Sequence, residues 1–173
     1  VSHTWIGDLD FLLYAPGGSP FLTMLHRPGG TGTGVGDSSN MASTSPLLFT
    51  DASGDPAETM GNTLTTSQVV CQDDGRCAYS PSPDGYAGSL ANFAGFAGLA
   101  SNGTWQFCAA DNAAIDTGAV ASVTLNLTCA TAPTATPTNT PVPPTATPTN
   151  TPLPPTATPT NTPVPPTATP TNT

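Results

Sequence analysis

The most constraining feature of this 173-residue chain is its last 44 residues, Ala130–Thr173, where the unit T-A-T-P-T-N-T-P-V-P-P recurs without a charged residue. Copies run Thr134–Pro144, Thr145–Pro155 and Thr156–Pro166, with Leu153 in place of Val142 and Val164, and a partial copy, Thr167–Thr173, follows. The segment holds 14 prolines and 17 threonines. Proline locks φ and offers no N–H, which rules out a helix or a central strand at this density. Polyproline II remains, extended and without internal hydrogen bonds. At roughly 3.1 Å per residue, a straight rod of this length reaches about 135 Å. The simplest reading of such a rod is a stalk or linker.

Residues 1–129 have a different composition. They hold all 11 acidic residues, both arginines and all four cysteines, and the whole chain has no lysine. That length suffices for one domain with a real core. Apolar residues come in short runs, Trp5–Tyr14, Phe21–Leu25, Leu47–Phe49, Trp105–Ala109 and Val120–Leu127, separated by Gly, Pro, Ser and Asn. No sustained helical period appears. The pattern predicts an all-β sandwich or barrel over 1–129, followed by an extended tail over 130–173. A net charge of −9 disfavours nucleic acid and anionic membrane surfaces as partners. It suits a secreted, cation-binding protein. No apolar run approaches the ~20 residues needed to span a bilayer. The opening Val1 and the lack of a leader are read as those of a processed, mature product.

Cys71 and Cys77 flank a short acidic loop, Q-D-D-G-R, while Cys108 and Cys129 lie in and after predicted strands. A lone C-x5-C is a poor zinc signature, so disulfides and an oxidising, extracellular or cell-surface location are the better reading. Four cysteines allow three pairings. Cys71–Cys77 with Cys108–Cys129 is preferred, although strand alternation turns Cys108 outward and Cys129 inward unless a bulge or strand end intervenes.

Along the domain, Leu9, Phe11 and Leu13 alternate with Asp10, Leu12 and Tyr14 as a half-buried strand. Ala15-Pro16-Gly17-Gly18 is a turn into a second strand, Phe21–Leu25. Loops are expected over Arg27–Ser45 and from Asp51 to about Asp84. A closing hairpin is expected between Trp105–Ala109 and Val120–Leu127. In order and spacing, several pieces together resemble the P domain, the β-sandwich module that follows the catalytic domain in subtilisin/kexin-type proprotein convertases and many secreted proteases. They are His3-Thr4-Trp5-Ile6-Gly7-Asp8-Leu9, Tyr14-Ala15-Pro16-Gly17-Gly18, Phe49-Thr50-Asp51, Leu90–Gly95, Asn102-Gly103-Thr104-Trp105, Asp111, Asp116-Thr117-Gly118 and Val120–Leu127. The resemblance implies a jelly-roll-like antiparallel β-sandwich. Two departures stand out: only Val1 and Ser2 precede the H-T-x-x-G-D-L stretch, and no protease domain is present.

The only histidines are His3 and His26, and no G-x-S-x-G elbow occurs, so no catalytic set is expected. Calcium takes six to eight hard oxygens from flexible loops. Asp8, Asp51, Asp111 and Asp116 lie at strand ends or in loops, and the resemblance implies that they can bind calcium. Asp8 and Asp10, two apart on a strand, are expected to share a face, and Asp73 and Asp74 read as a solvated loop tip. Asn102-Gly103-Thr104 and Asn126-Leu127-Thr128 match the N-glycosylation sequon, and Asn102 also reads as a turn residue. The tail composition predicts O-linked glycans on Thr134, Thr136, Thr138, Thr140, Thr145, Thr147, Thr149, Thr151, Thr156, Thr158, Thr160 and Thr162.

These features suggest a non-catalytic extracellular structural protein that self-associates into fibrils, or else an accessory calcium-binding module of a secreted or surface-anchored protease. In the fibril reading, missing first strands leave an open edge near Leu9–Tyr14 that invites a second copy.

Overall fold

Leu9–Tyr14 is the strand from which the architecture follows. The computed structural model describes residues 1–30, 36–129 and 156. The chain divides into two units, Val1–Thr131 and Ala132–Thr173. Among the described residues of the first, seven strands occur: β1 (Ser2–His3), β2 (Leu9–Tyr14), β3 (Phe21–His26), β4 (Leu48–Phe49), β5 (Ala78–Tyr79), β6 (Gln106–Asp111) and β7 (Gly118–Ala119). Three 3-10 turns, Ile6–Asp8, Ala57–Thr59 and Phe93–Phe96, accompany them. The architecture is all-β and its main sheet is antiparallel, in the order β3-β2-β6. β1 pairs antiparallel with β7, and β4 pairs parallel with β5. Among the described residues, no helix is long and apolar enough to cross a membrane.

β2 reads as an almost continuous apolar run because both of its faces are covered: Leu9 to Leu13 are all buried. The ladders set Phe11 opposite Ala109 and Leu13 opposite Phe107, so these four share one face. The Phe11 and Phe107 rings stand 5.4 Å apart, and Phe49 meets Phe11 edge-on at 6.2 Å. Aromatic pairs in these geometries stabilise beyond their buried area. On the other side of β2, the ladder to β3 slips after Phe11↔Leu25 to Leu12↔Thr23, leaving Met24 as an extra residue. The β2–β3 connection turns through Gly17 and Gly18, both at positive φ, where glycine carries no Cβ penalty.

The long loops are tied to this sheet. Backbone bonds run from Ile6 N to Ser39 O and from Gly7 N to Asp37 O. A Cβ on Gly7 would overlap the Gly36 backbone, so only glycine permits that crossing. Isolated apolar residues of the loops, Met41, Met60 and Val70, complete the core together with Ala57 of the 57–59 turn and Tyr79 of β5.

Three expectations require correction. Leu9–Tyr14 is no open edge; it is the central strand, paired on both sides. The closing hairpin does not form either: β6 pairs with β2, two residues pair with β1, and 120–127 has no strand. Asn112 N and Nδ2 both donate to the Asp8 carbonyl, and Thr4 Oγ1 donates to Asp116, which directs the following chain onto β1. Val120, Val123, Leu125 and Leu127 are thereby left exposed. Third, Cys71–Cys77 is a disulfide, whereas Cys108 and Cys129 are two exposed free thiols instead of a bonded pair. Cys108 sits opposite Leu12, on the face of β6 away from Phe107, and Cys129 Sγ rests 3.2 Å from Ser101 Oγ. The polyproline tail and eleven of the twelve threonines lie outside the described residues, and Thr156 is exposed.

Substitution should separate core strand from exposed segment. Phe11→Ala is expected to cost about 3–5 kcal/mol of unfolding free energy. Leu127→Ser, at an exposed position, should change it by no more than about 0.5 kcal/mol. Denaturant titration reads both, and a large loss at Leu127 would mean that 120–127 is a core strand.

Candidate functional site

Two groups of titratable side chains flank β2. The first gathers where the Ile6–Asp8 turn, the end of β6 and the β6–β7 loop meet. The Asp8 side chain is 3 % exposed and lies 4.0 Å from an Arg27 guanidinium nitrogen. Its Oδ1 is buried without a hydrogen-bond partner. Burial raises the Asp8 pKa, and the like charges of Asp116 and Asp111 raise it further, while Arg27 and His3 partly offset them. Asp111 Oδ2 is 3.3 Å from His3 Nε2, and Asp116 Oδ1 accepts from Thr4 Oγ1 at 2.9 Å.

Three of the four expected calcium ligands therefore face one corner, and Asp51 does not join them. Its two oxygens accept from Phe93 N at 2.9 Å and Ala94 N at 2.8 Å, where they satisfy the amides that open the Phe93–Phe96 turn. The corner is rich in carboxylate oxygens, and Asp8 Oδ1, though near Arg27, accepts no hydrogen bond there. Among the described residues, however, no three acidic, histidine or cysteine side chains stand close enough together to form a ready-made metal site.

The second group lies on the opposite face of β2. Asp10 is 1 % exposed. Its Oδ1 is 2.9 Å from His26 Nδ1, and its Oδ2 accepts from the Tyr86 hydroxyl at 2.6 Å. The Asp10↔His26 ladder pair brings the first two together, and the His26 and Tyr86 rings meet edge-on at 5.7 Å. Gly85 is required beside them because any Cβ there would overlap the His26 ring. Asp8 and Asp10 thus serve different neighbours. Nearby, Ser82 Oγ donates to Asp84 at 2.7 Å and lies 3.3 Å from Glu58 Oε2. Burial, followed by repulsion from Asp84, raises the Glu58 pKa. Among the described residues, no serine or cysteine hydrogen-bonds either histidine. Asp73 is exposed, as expected of a loop tip, and Asp74 is half-buried; both also organise the disulfide loop, Asp73 Oδ2 accepting from Val69 N and Asp74 Oδ1 from Cys71 N and Arg76 N.

The Asp10–His26–Tyr86 group has no local sequence signal, since its outer members are 76 positions apart. The turn pattern Pro83-Asp84-Gly85 ahead of a tyrosine is the only local hint.

No family model, curated protein or solved structure matches the chain.

The bond to Asp10, then burial, pushes the Tyr86 hydroxyl up to about 12. The folded chain therefore holds this proton where the unfolded chain, titrating near 10, has lost it. The Tyr86–Asp10 bond contributes fully below about pH 10, and its contribution is lost as pH rises toward 12. Tyr86→Phe should cost about 1 kcal/mol at pH 7, a low value because the ring is partly in solvent. The gap between the two proteins should close across that alkaline window. A gap that stays constant to the alkaline limit would mean the bond is not made.

Proposed function

We propose that this chain is a non-catalytic extracellular structural protein, a β-domain subunit that assembles with its own kind into fibrils and bears an O-glycosylated Thr/Pro rod. The observation that carries the reading is the joining of one all-β unit to an uncharged 11-residue tandem repeat with threonine at positions 1, 3, 5 and 7. Three residues per polyproline turn would direct those threonines to all sides of a rod, where sugars sheath it. The β-domain is taken as a P-domain-like, jelly-roll sandwich, on the motifs that run from His3 to Leu127. Heterologous contacts that do not close into a ring generate filaments, so a subunit with its binding surface at one place and its ligand segment at another polymerises. Electron microscopy of native material should show filaments, and the intact mass should exceed 17.3 kDa by several kilodaltons. Discrete particles at the bare polypeptide mass would overturn the reading.

A second reading has its own support in the Asp8 corner: an accessory calcium-binding module of a secreted or surface-anchored protease, with the tail as a stalk. Asp8, Asp111 and Asp116 would hold the ion, which would neutralise their mutual repulsion and give the orphaned Asp8 oxygen a partner. A ligand that binds only the folded state stabilises it by about 2.7 kcal/mol at a hundredfold excess over its dissociation constant. Calcium should therefore raise the melting temperature over that in chelator, and Asp8→Asn should abolish the difference while Asp51→Asn leaves it. Equal melting temperatures in calcium and chelator would remove calcium from the account.

A further inference from the structure

Phe11 and Leu13 of β2 are buried, but the aromatic layer packed over them and over Phe107 of β6 leaves a depression. This groove of about 760 Å³ is bounded on one side by the Phe93–Phe96 turn and on the other by 121–128. Phe11, Phe49, Phe93, Phe96, Trp105 and Phe107 line it, and Phe96 and Trp105 meet edge-on at 5.2 Å. Its one charged side chain is Asp51, whose oxygens are already engaged by the Phe93 and Ala94 amides. The backbone of 121–128 makes no hydrogen bond among the described residues, so amide donors border an aromatic trough.

Aromatic-lined grooves of this kind dock proline-rich segments in the polyproline II conformation, whose low conformational entropy reduces the cost of binding. The chain itself contains such a segment. Within each repeat the run Pro-Val-Pro-Pro or Pro-Leu-Pro-Pro, at Pro141–Pro144, Pro152–Pro155 and Pro163–Pro166, has no threonine. It stays bare when the neighbouring threonines bear sugars. Its first and last prolines are three apart and fall on one face of a three-residue turn, with an apolar Val or Leu between them. Its carbonyls are acceptors and only one of its four residues has an N–H, which complements a groove edged with donors. The repeat carries no charge and the groove's only charged side chain is the amide-bound Asp51, so no like-charge repulsion opposes contact despite the acidity of the chain.

We infer that this groove is a docking site for the threonine-free Pro-x-Pro-Pro step of a second copy's tail. The assignment to a second copy rests on the assembly reading above. The periodic recurrence of the step gives each tail several equivalent places to engage.

The test uses the full chain. A synthetic two-repeat peptide, unglycosylated, is titrated in and tryptophan fluorescence is followed. A saturable blue shift is expected as Trp105 becomes covered. Replacing the prolines of the bare step by alanine should weaken the peptide about tenfold or more, as should Phe96→Ser or Phe93→Ser in the protein. Unchanged melting temperatures in at least one of these variants guard against misfolding. No saturable shift, or an alanine peptide that binds equally well, overturns the inference. Filaments in a protein that ignores the peptide would overturn it while leaving the assembly reading intact. Peptide binding by a chain that sediments as a monomer at every concentration would uphold the groove's chemistry and overturn the second copy as its occupant.

Discussion

The double pairing of Leu9–Tyr14 is the constraint on which the rest of the domain depends. One face of this strand presents Phe11 and Leu13 to the core, and the other presents Asp10 to His26 and Tyr86. A buried carboxylate is costly unless its oxygens are engaged, and both Asp10 oxygens are. The same strand aligns β3 and β6, and the turn that precedes it holds Asp8 against Asp111 and Asp116. Apolar packing, the buried polar network and the acidic corner therefore share one backbone. A change in the register of β2 would disrupt all three, because a one-residue slip exchanges its faces.

What was legible in the sequence was local. The run from Leu9 to Tyr14, the Pro-Gly-Gly turn and the short Cys71–Cys77 loop each announce themselves within about ten residues. The closing strand was misjudged because alternation at Val123, Leu125 and Leu127 states that one face is apolar, not that a partner strand exists. Two tethers from the β6–β7 loop to Thr4 and Asp8 decide where that segment goes, and no local pattern encodes them. The loop contribution to the core was hidden for a similar reason: Met41, Met60 and Val70 are single apolar residues in polar stretches and have no period. At the candidate site, the family resemblance implies Asp8, Asp111 and Asp116 as a group but also includes Asp51, whose bonding to Phe93 and Ala94 spans more than 40 positions.

The double pairing of β2 also bears on the proposed association. A central strand offers no backbone groups to another chain, so contact between copies cannot use it as an edge. β3 and β6 are the outer strands of this sheet, and the aromatic groove lies beside 121–128. A proline-rich ligand suits the groove better than the edge, because proline cannot complete a β ladder but can lie against aromatic rings. Under the proposed reading, the repeat would alternate a hydroxyl-rich part that carries sugars with a threonine-free part available for contact.

Native-state hydrogen exchange on the dissociated chain tests the centre of this account most directly. Amides that open only with global unfolding exchange slowest, and exposed unpaired segments exchange fastest. The slowest amides should be those of Leu9–Tyr14, with residues 120–127 among the fastest in the domain. Exchange at Leu9–Tyr14 as rapid as that at 120–127 would show an open edge strand and contradict the account.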